Sequence, residues 1–145
     1  MQTGRKPKVV IVEDDPNLAF LFREICTAAG WHVTGEADRV CDAIGLLARD
    51  LPDLLLIDYS LRGHEDGLEL LEAVVQRWPQ VYTTLITGWD IEALSARIDY
   101  IEADSILTKP ISPKVLTAHL ADRASACHLH PSPAPARGPT VVQLG

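Results

Sequence analysis

Four apolar stretches of the chain are each followed by side chains that could bind a cation or a phosphate group. The acids Glu13–Asp15 and Asp58 follow two of them, and Thr87 and Lys109 follow the other two. Taken singly, these are ordinary residues of solvated helix ends, turns and surfaces. Carboxylates crowded at one point, however, repel each other unless a cation or a proton compensates their charge. An oxygen-rich set of this kind suits Mg²⁺, which combines one or two carboxylates with waters and a phosphate.

The four stretches belong to a set of five strand-like runs that alternate with segments of helical period. The runs are Val9–Glu13, His32–Ala37, Leu54–Asp58, Thr83–Thr87 and Ser105–Thr108. The first and third are almost continuously apolar, as in central strands of a parallel sheet that is covered on both faces. The repeated β-α order predicts an α/β fold with right-handed crossovers. Ligands bind at the carboxyl ends of such strands, so the acids, the threonine and the lysine are expected at one rim.

Proline, glycine and capping residues mark where several helices begin and end. Asp15-Pro16 and Ser112-Pro113 show the pattern of an N-cap followed by proline in the first turn. Gly30 is expected to end the first helix. A second helix is predicted over about residues 39–49, and Asp90 is expected to cap the helix after the fourth strand.

Composition narrows the class of protein. The 145 residues carry a formal net charge of −7, and 47% are hydrophobic, which is consistent with one globular domain. The acidity argues against nucleic acid as the main partner. The three cysteines are widely spaced, as in a protein of the reducing cytosol. No apolar run approaches the roughly 20 residues of a membrane span, so no membrane association and a cytoplasmic location are predicted.

The domain boundaries follow from the same patterns. Residues 1–7 are interpreted as an N-terminal extension and residues 8–124 as the folded domain. From residue 125 to residue 145 the composition shifts to proline, alanine, serine and glycine. Such a segment buries little apolar surface, so we predict a flexible tail.

Four motifs resemble the receiver domains of bacterial response regulators, the signalling proteins of two-component systems. They are VVIVEDD at Val9–Asp15, PDLLLIDYSLRG at Pro52–Gly63, TLITG at Thr84–Gly88 and ILTKP at Ile106–Pro110. The resemblance extends from about Lys8 to Asp122. It implies a doubly wound, flavodoxin-like fold, with a five-stranded parallel sheet in the order 2-1-3-4-5 and helices on both faces.

The resemblance also implies a role for each residue at the rim. Asp58 matches the phosphoryl-accepting aspartate and a ligand of Mg²⁺. Asp14 matches a direct ligand of the metal, Glu13 a ligand acting through water, and Ser60 a ligand through its backbone carbonyl.

Two further positions correspond to the residues that respond to the phosphoryl group. Thr87 matches the switch hydroxyl, and Lys109 matches the lysine that pairs with the phosphoryl group. The Lys109-Pro110 peptide bond is expected to be cis.

The chain departs from the family pattern at the position three residues before the lysine. Many members have an aromatic side chain there that turns inward on activation, whereas this chain has Ile106. The switch must then be read through another residue, for which Tyr100 and Trp89 are candidates, or through backbone movement. Ser60 and Trp89 occupy positions that influence the lifetime of the phosphoryl group, and the bulk of Trp89 predicts a long-lived phosphorylated state.

The leading hypothesis is a stand-alone receiver without enzymatic activity on other substrates. It would be phosphorylated by a sensor histidine kinase or a histidine phosphotransfer protein. The signal would pass to a protein partner through the face formed by the fourth helix, fifth strand and fifth helix. The sequence leaves open whether phosphorylation also causes the domain to dimerise. The alternatives are a receiver fragment of a longer regulator, a phosphate sink, and an interaction module that needs no phosphorylation.

An aspartate-nucleophile phosphatase is disfavoured because Glu13–Pro16 does not match the DxD-type motif of such enzymes. His64 is interpreted as a solvated loop residue rather than a base. Cys127, His128 and His130 are not expected to form a metal site, because too few partners surround them.

Overall fold

A computed structural model describes residues 5–59, 67–88, 92, 95–96, 101–129 and 140–142. Its strands are β1 (Lys8–Val12), β2 (His32–Ala37), β3 (Leu54–Tyr59), β4 (Tyr82–Thr87), β5 (Ser105–Thr108) and β6 (Thr140–Val142). Its helices are α1 (Pro16–Ala28), α2 (Val40–Arg49), α3 (Gly67–Arg77) and α4 (Pro113–Leu129). The predicted helix that Asp90 would cap lies outside the described residues.

All six strands pair in parallel in the order β2-β1-β3-β4-β5-β6. The predicted five-strand order 2-1-3-4-5 is therefore confirmed, and a sixth strand is added beside β5. This addition differs from the prediction of a flexible tail over residues 125–145, because α4 continues to Leu129 and residues 140–142 pair with β5. Neither the end of α4 nor β6 could be predicted from the composition of residues 125–145.

Helices cover both faces of the sheet, which explains why β1 and β3 are continuous apolar runs. On one face, Val9 and Ile11 of β1 pack with Phe22 of α1 and Leu116 of α4. The opposite face is built from side chains of β1 and β3 against α2 and α3: Val10, Val12, Leu55, Ile57, Ala43, Leu47, Leu70 and Val74. Successive residues of the central strands thus enter two different cores.

The helix boundaries confirm the sequence signals. The Asp15 side chain accepts from the backbone N–H of Asn17 at 2.8 Å, so it caps α1, and Pro16 follows in the first turn. Gly30 ends α1 with a φ of +91°, a conformation that costs glycine least. Ser112 precedes α4 as predicted, and its hydroxyl accepts from the Val115 N–H at 3.4 Å. Among the described residues, no helix is long and apolar enough to span a membrane.

Candidate phosphoryl and metal site

The strand register brings the predicted rim residues to one edge of the sheet. Val12 of β1 lies opposite Ile57 of β3, so Glu13 and Asp58 leave neighbouring strands at the same level. In the next pair, Thr87 is the last residue of β4 and lies opposite Thr108 of β5. Lys109 follows directly, so four adjacent strands each deliver one candidate side chain to this edge.

Asp58 and Lys109 form an ion pair at the centre of the site. The Lys109 Nζ lies 2.6 Å from Oδ1 of Asp58, and the two side chains are 29% and 4% exposed. The lysine backbone is held as well, since its N–H donates to the Thr87 carbonyl oxygen at 2.7 Å. The Lys109-Pro110 bond is cis, as expected. A cation is therefore fixed against one oxygen of the candidate nucleophile, while the Thr87 side chain lies buried at the end of β4.

Glu13 is a second buried acid of the site, with 5% of its surface exposed. Its backbone N–H donates to the Ala37 carbonyl oxygen at 2.9 Å, and its Oε2 accepts from the Asp15 N–H at 3.0 Å. Its other oxygen, Oε1, is buried, and the described residues offer it no hydrogen-bond partner. Burial, with a smaller contribution from the neighbouring Asp58 carboxylate, raises the pKa of Glu13 to about 8.

Three carboxylates converge closely enough to share one cation. One oxygen each from Glu13, Asp14 and Asp58 can be chosen so that all three lie within 4.8 Å of one another. Oδ1 of Asp58 is paired with the Lys109 ammonium, whereas Oε1 of Glu13 is buried with no hydrogen-bond partner among the described residues. Carboxylate oxygens that lie this close together require a proton or a cation between them. Because Asp14 is exposed, the site is open to solvent on one side. The donor set therefore fits a hard divalent cation that keeps several waters.

The space beside these carboxylates is small. A cavity of about 50 Å³ is bordered by Glu13, Asp14 and Asp58, and also by Asp38 and Arg39. It is far smaller than the roughly 300–1,000 Å³ of a typical small-molecule site. A broader groove of about 850 Å³ lies between α1 and α2, with Glu13 and Asp14 on its wall. A group approaching Asp58 can thus be presented from outside rather than enclosed.

Not every predicted residue falls within the described part of the chain. Five are outside it: Ser60, His64, Trp89, Tyr100 and His130. The side chain of His128 is outside it as well. Ile106 is fully buried and packs in the core on the α2 and α3 face. Cys127 is partly buried near the end of α4, and burial raises the pKa of its thiol.

Sequence reasoning missed Asp38 and Arg39 as neighbours of the site. They follow β2, which lies next to β1, and so they reach the same edge of the sheet. The predicted strand order already placed the end of β2 beside the end of β1, but neither residue belongs to the four motifs.

Comparison with known proteins gives the class that the sequence motifs resemble, the receiver domain of response regulators. The family model of the response regulator receiver domain matches residues 9–121. The transcriptional regulatory protein BaeR of Escherichia coli is 31% identical over 117 residues, covering 79% of this chain and 46% of BaeR. A protein-glutamate methylesterase/protein-glutamine glutaminase of Hahella chejuensis is 28% identical over 102 residues, covering 70% of this chain and 29% of that protein.

The fold has close structural counterparts. The signal receiver domain of a signal transduction histidine kinase from Syntrophus aciditrophicus superposes with a TM-score of 0.75, covering 90% of this chain and 98% of that domain at 23% identity. The chain spans less than half the length of the two curated relatives above. It belongs to the response regulator receiver domain family of two-component signalling.

Proposed function

We propose that this domain accepts a phosphoryl group on Asp58 from a phosphohistidine of a sensor histidine kinase or a histidine phosphotransfer protein. The observation that carries the proposal is the buried Asp58 carboxylate, held between the Lys109 ammonium at 2.6 Å and two further carboxylates. A structural ion pair would not require the additional acids, which destabilise the site unless a cation or a proton is present.

The transfer would be an in-line displacement at phosphorus. A carboxylate oxygen of Asp58 forms the new P–O bond while the P–N bond of the phosphohistidine breaks, and the imidazole, which already carries a proton on its other ring nitrogen, leaves as a neutral base. Such a reaction needs positioning and neutralisation of the equatorial oxygens more than covalent help. Lys109 supplies a fixed positive charge beside the nucleophile.

Glu13, Asp14 and Asp58 would hold Mg²⁺, with the Ser60 carbonyl oxygen as the further predicted ligand. When bound, Mg²⁺ supplies Lewis-acid neutralisation of the phosphoryl oxygens. This cation would compensate the charge of the buried Glu13 oxygen, which has no hydrogen-bond partner among the described residues, together with that of Asp58. The binding of a cation would thus both complete the site and relieve its repulsion.

Phosphorylation would act on the neighbouring strand ends. The product is an acyl phosphate with two negative charges beside Lys109 and the last residue of β4. We propose that the Thr87 hydroxyl donates to this group and that the following loop shifts with it, which biases a two-state equilibrium. Since Ile106 is an aliphatic core residue, the change would be read through backbone movement or through residues other than this one.

The output would be a contact with a protein partner, without enzymatic activity on another substrate and without direct binding of nucleic acid.

A separate surface would receive the phosphoryl donor. The two apolar side chains Phe20 and Leu21 of α1 are 55% and 38% exposed. They lie in the helix that Asp15 caps beside the acids, so they offer a surface for a protein donor. We propose a cytoplasmic location, where such donors carry their phosphohistidine.

The test is the intact mass after incubation with Mg²⁺ and acetyl phosphate. We expect one added phosphoryl group in the wild-type domain, none in Asp58→Asn, and none after chelation of Mg²⁺. The matched control is Asp122→Asn, which makes the same change at an exposed carboxylate and should leave the adduct intact. A donor phosphohistidine protein should give the same adduct faster. An adduct that persists in Asp58→Asn would contradict the assignment of the nucleophile.

A further inference from the structure

The groove of about 850 Å³ between α1 and α2 lies at the free edge of β2. β2 is the last strand on this side of the sheet, and α1 and α2 pack on opposite faces of the sheet. The first turn of α1 contributes Ala19 to the groove, β2 contributes Ala37, and α2 contributes Gly45 and Leu46. The groove is open on its outer side, so a segment of another molecule can enter it from solution.

Gly45 lies in the middle of α2, where glycine stabilises a helix less than alanine does. Packing does not require it: among the described residues, a Cβ here would meet nothing within 4 Å beyond its chain neighbours and its own helix backbone. Backbone conformation does not require it either, because the positive φ that favours glycine occurs at Gly30 and not here. Gly35 differs, since a Cβ there would lie 2.9 Å from the Leu46 side chain. A ligand that lies against this wall of the groove would explain the bare backbone at Gly45.

Acidic side chains outnumber basic ones in the lining of the groove. Asp38 follows β2 and Asp42 lies in the first turn of α2, and both are exposed. The ion pairs of the described residues involve neither of them, whereas Glu36 is paired with Arg23 at 2.8 Å. Arg49 also lines the groove, but it is roughly 10 Å from Asp42 along the helix. One end of the groove therefore carries two negative charges without an ionic partner.

We propose that this groove binds a basic segment of a partner protein. Lysine or arginine side chains of the segment face Asp38 and Asp42, because charges of opposite sign across an interface steer association and fix the register. The main chain of the segment lies against Gly45, and the stems of its basic side chains contact the half-buried Leu46. The same acids repel the phosphates of nucleic acid.

The groove is distinct from the groups that the proposed function uses. Asp58 and Lys109 do not line it, and neither do the exposed apolar side chains of α1 that are assigned to the phosphoryl donor. Glu13 and Asp14 of the candidate metal site lie on its wall, but the contacts proposed for the basic segment include neither. Binding of this segment thus does not depend on the proposed phosphoryl transfer.

The first experiment tests the charges. A labelled decapeptide in which arginine alternates with alanine is titrated with the full chain at pH 7, without Mg²⁺ or a phosphodonor, and followed by fluorescence anisotropy. Salt at about 0.15 M largely screens charges more than about 8 Å apart, so that bulk acidity contributes little. Asp38→Asn/Asp42→Asn should weaken binding about tenfold through the loss of two surface ion pairs. The matched control, Glu69→Gln/Glu72→Gln, removes two exposed acids near the start of α3 and should weaken binding less than about twofold.

The second experiment tests the shape. Gly45→Gln places a good helix former on the groove wall, so we expect a higher midpoint of thermal unfolding together with peptide binding that is about fivefold weaker. Ala48→Gln adds a similar side chain to α2 outside the groove and should leave binding unchanged. A purely structural glycine would not give opposite effects on stability and binding. Acetyl phosphate should still modify Gly45→Gln, which distinguishes failure of this proposal from failure of the phosphoryl transfer.

Four results would overturn the proposal. The wild-type chain may give no anisotropy change with the peptide, or both charge variants weaken binding equally, which would show that bulk acidity alone attracts it. Undiminished binding to Gly45→Gln would show that no ligand lies against α2 at that point. Spermine that displaces the peptide and binds as tightly would assign the groove to a small polycation instead.

Discussion

The ion pair between Lys109 and Asp58 gives the most direct test of the electrostatic reasoning. Replacing Lys109 with methionine keeps most of the side-chain length and removes the charge. Asp58, whose side chain is 4% exposed, then remains as a buried carboxylate next to Glu13. Removing one partner from a fully buried pair typically costs about 3–5 kcal/mol. Because the Lys109 side chain is 29% exposed, solvent screens part of its interaction, so we expect a loss of about 2 kcal/mol.

A double-mutant cycle separates this pair from other effects of the substitution. In an Asp58→Asn background the carboxylate is already neutral, so Lys109→Met should change the free energy of unfolding by less than about 0.5 kcal/mol. Urea unfolding of the four proteins, without divalent cations and at low salt, measures both values. Addition of Mg²⁺ should reduce the cost in the wild-type background, because a bound cation compensates Asp58 in place of the lysine. Equal losses in both backgrounds would refute the reasoning, since the lysine would then stabilise the fold through packing alone.

Three further predictions follow from the same structure. Burial lowers the pKa of His119 from 6.5 to about 4, so below about pH 6.5 the unfolded chain binds the extra proton and stability falls as the pH approaches 4. Relative to His119→Gln, we expect the wild type to lose about 3 kcal/mol of unfolding free energy over that range in urea titrations, and parallel pH profiles would contradict this. Phe20→Ser should slow phosphorylation by a phosphohistidine protein but not by acetyl phosphate, as followed by intact mass; equal slowing of both would indicate damage to the site itself. Glu13→Gln should raise the unfolding free energy by about 1 kcal/mol without divalent cations, because it removes a buried acid, yet slow Mg²⁺-dependent phosphorylation; an unchanged rate would exclude a role in metal binding.

The strands that form the centre of the fold are predictable from sequence because both of their faces are buried. The runs Val9–Val12 and Leu54–Ile57 predict strands of a parallel sheet that is covered on both faces, since neither run alternates with polar residues. The position of the rim residues then follows from the polarity of parallel strands. Thr140–Val142 could not be found in this way. Three residues next to a proline-rich stretch carry too little local signal, and it is the backbone of β5 that specifies their extended conformation.

Differences in burial within the site are harder to predict. Glu13 and Asp14 are adjacent acids, but the fold buries the first and exposes the second. The buried hydrogen bond between Thr84 and His119, at 2.9 Å, joins β4 to α4 across 35 positions. Residues this far apart become neighbours only when the helix is packed on the sheet. Periodicity identifies each element but does not state which polar groups meet between elements.

Burying Glu13 and Asp58 side by side at this edge of the sheet has an electrostatic cost, which suggests that the acids serve function rather than stability. Glu13 and Asp58 each bring a buried carboxyl oxygen to the same small cavity, and the Lys109 ammonium pairs with the oxygen of Asp58. An apolar side chain in place of Glu13 would allow the same fold at lower electrostatic cost, because a buried ion cluster rarely stabilises a protein more than packed hydrophobic side chains do. The cost is lowest when a cation enters, and a cation is also what the arrival of a phosphoryl group requires. The arrangement that destabilises the site when no cation is bound is therefore the one that prepares it for the charge it is proposed to receive.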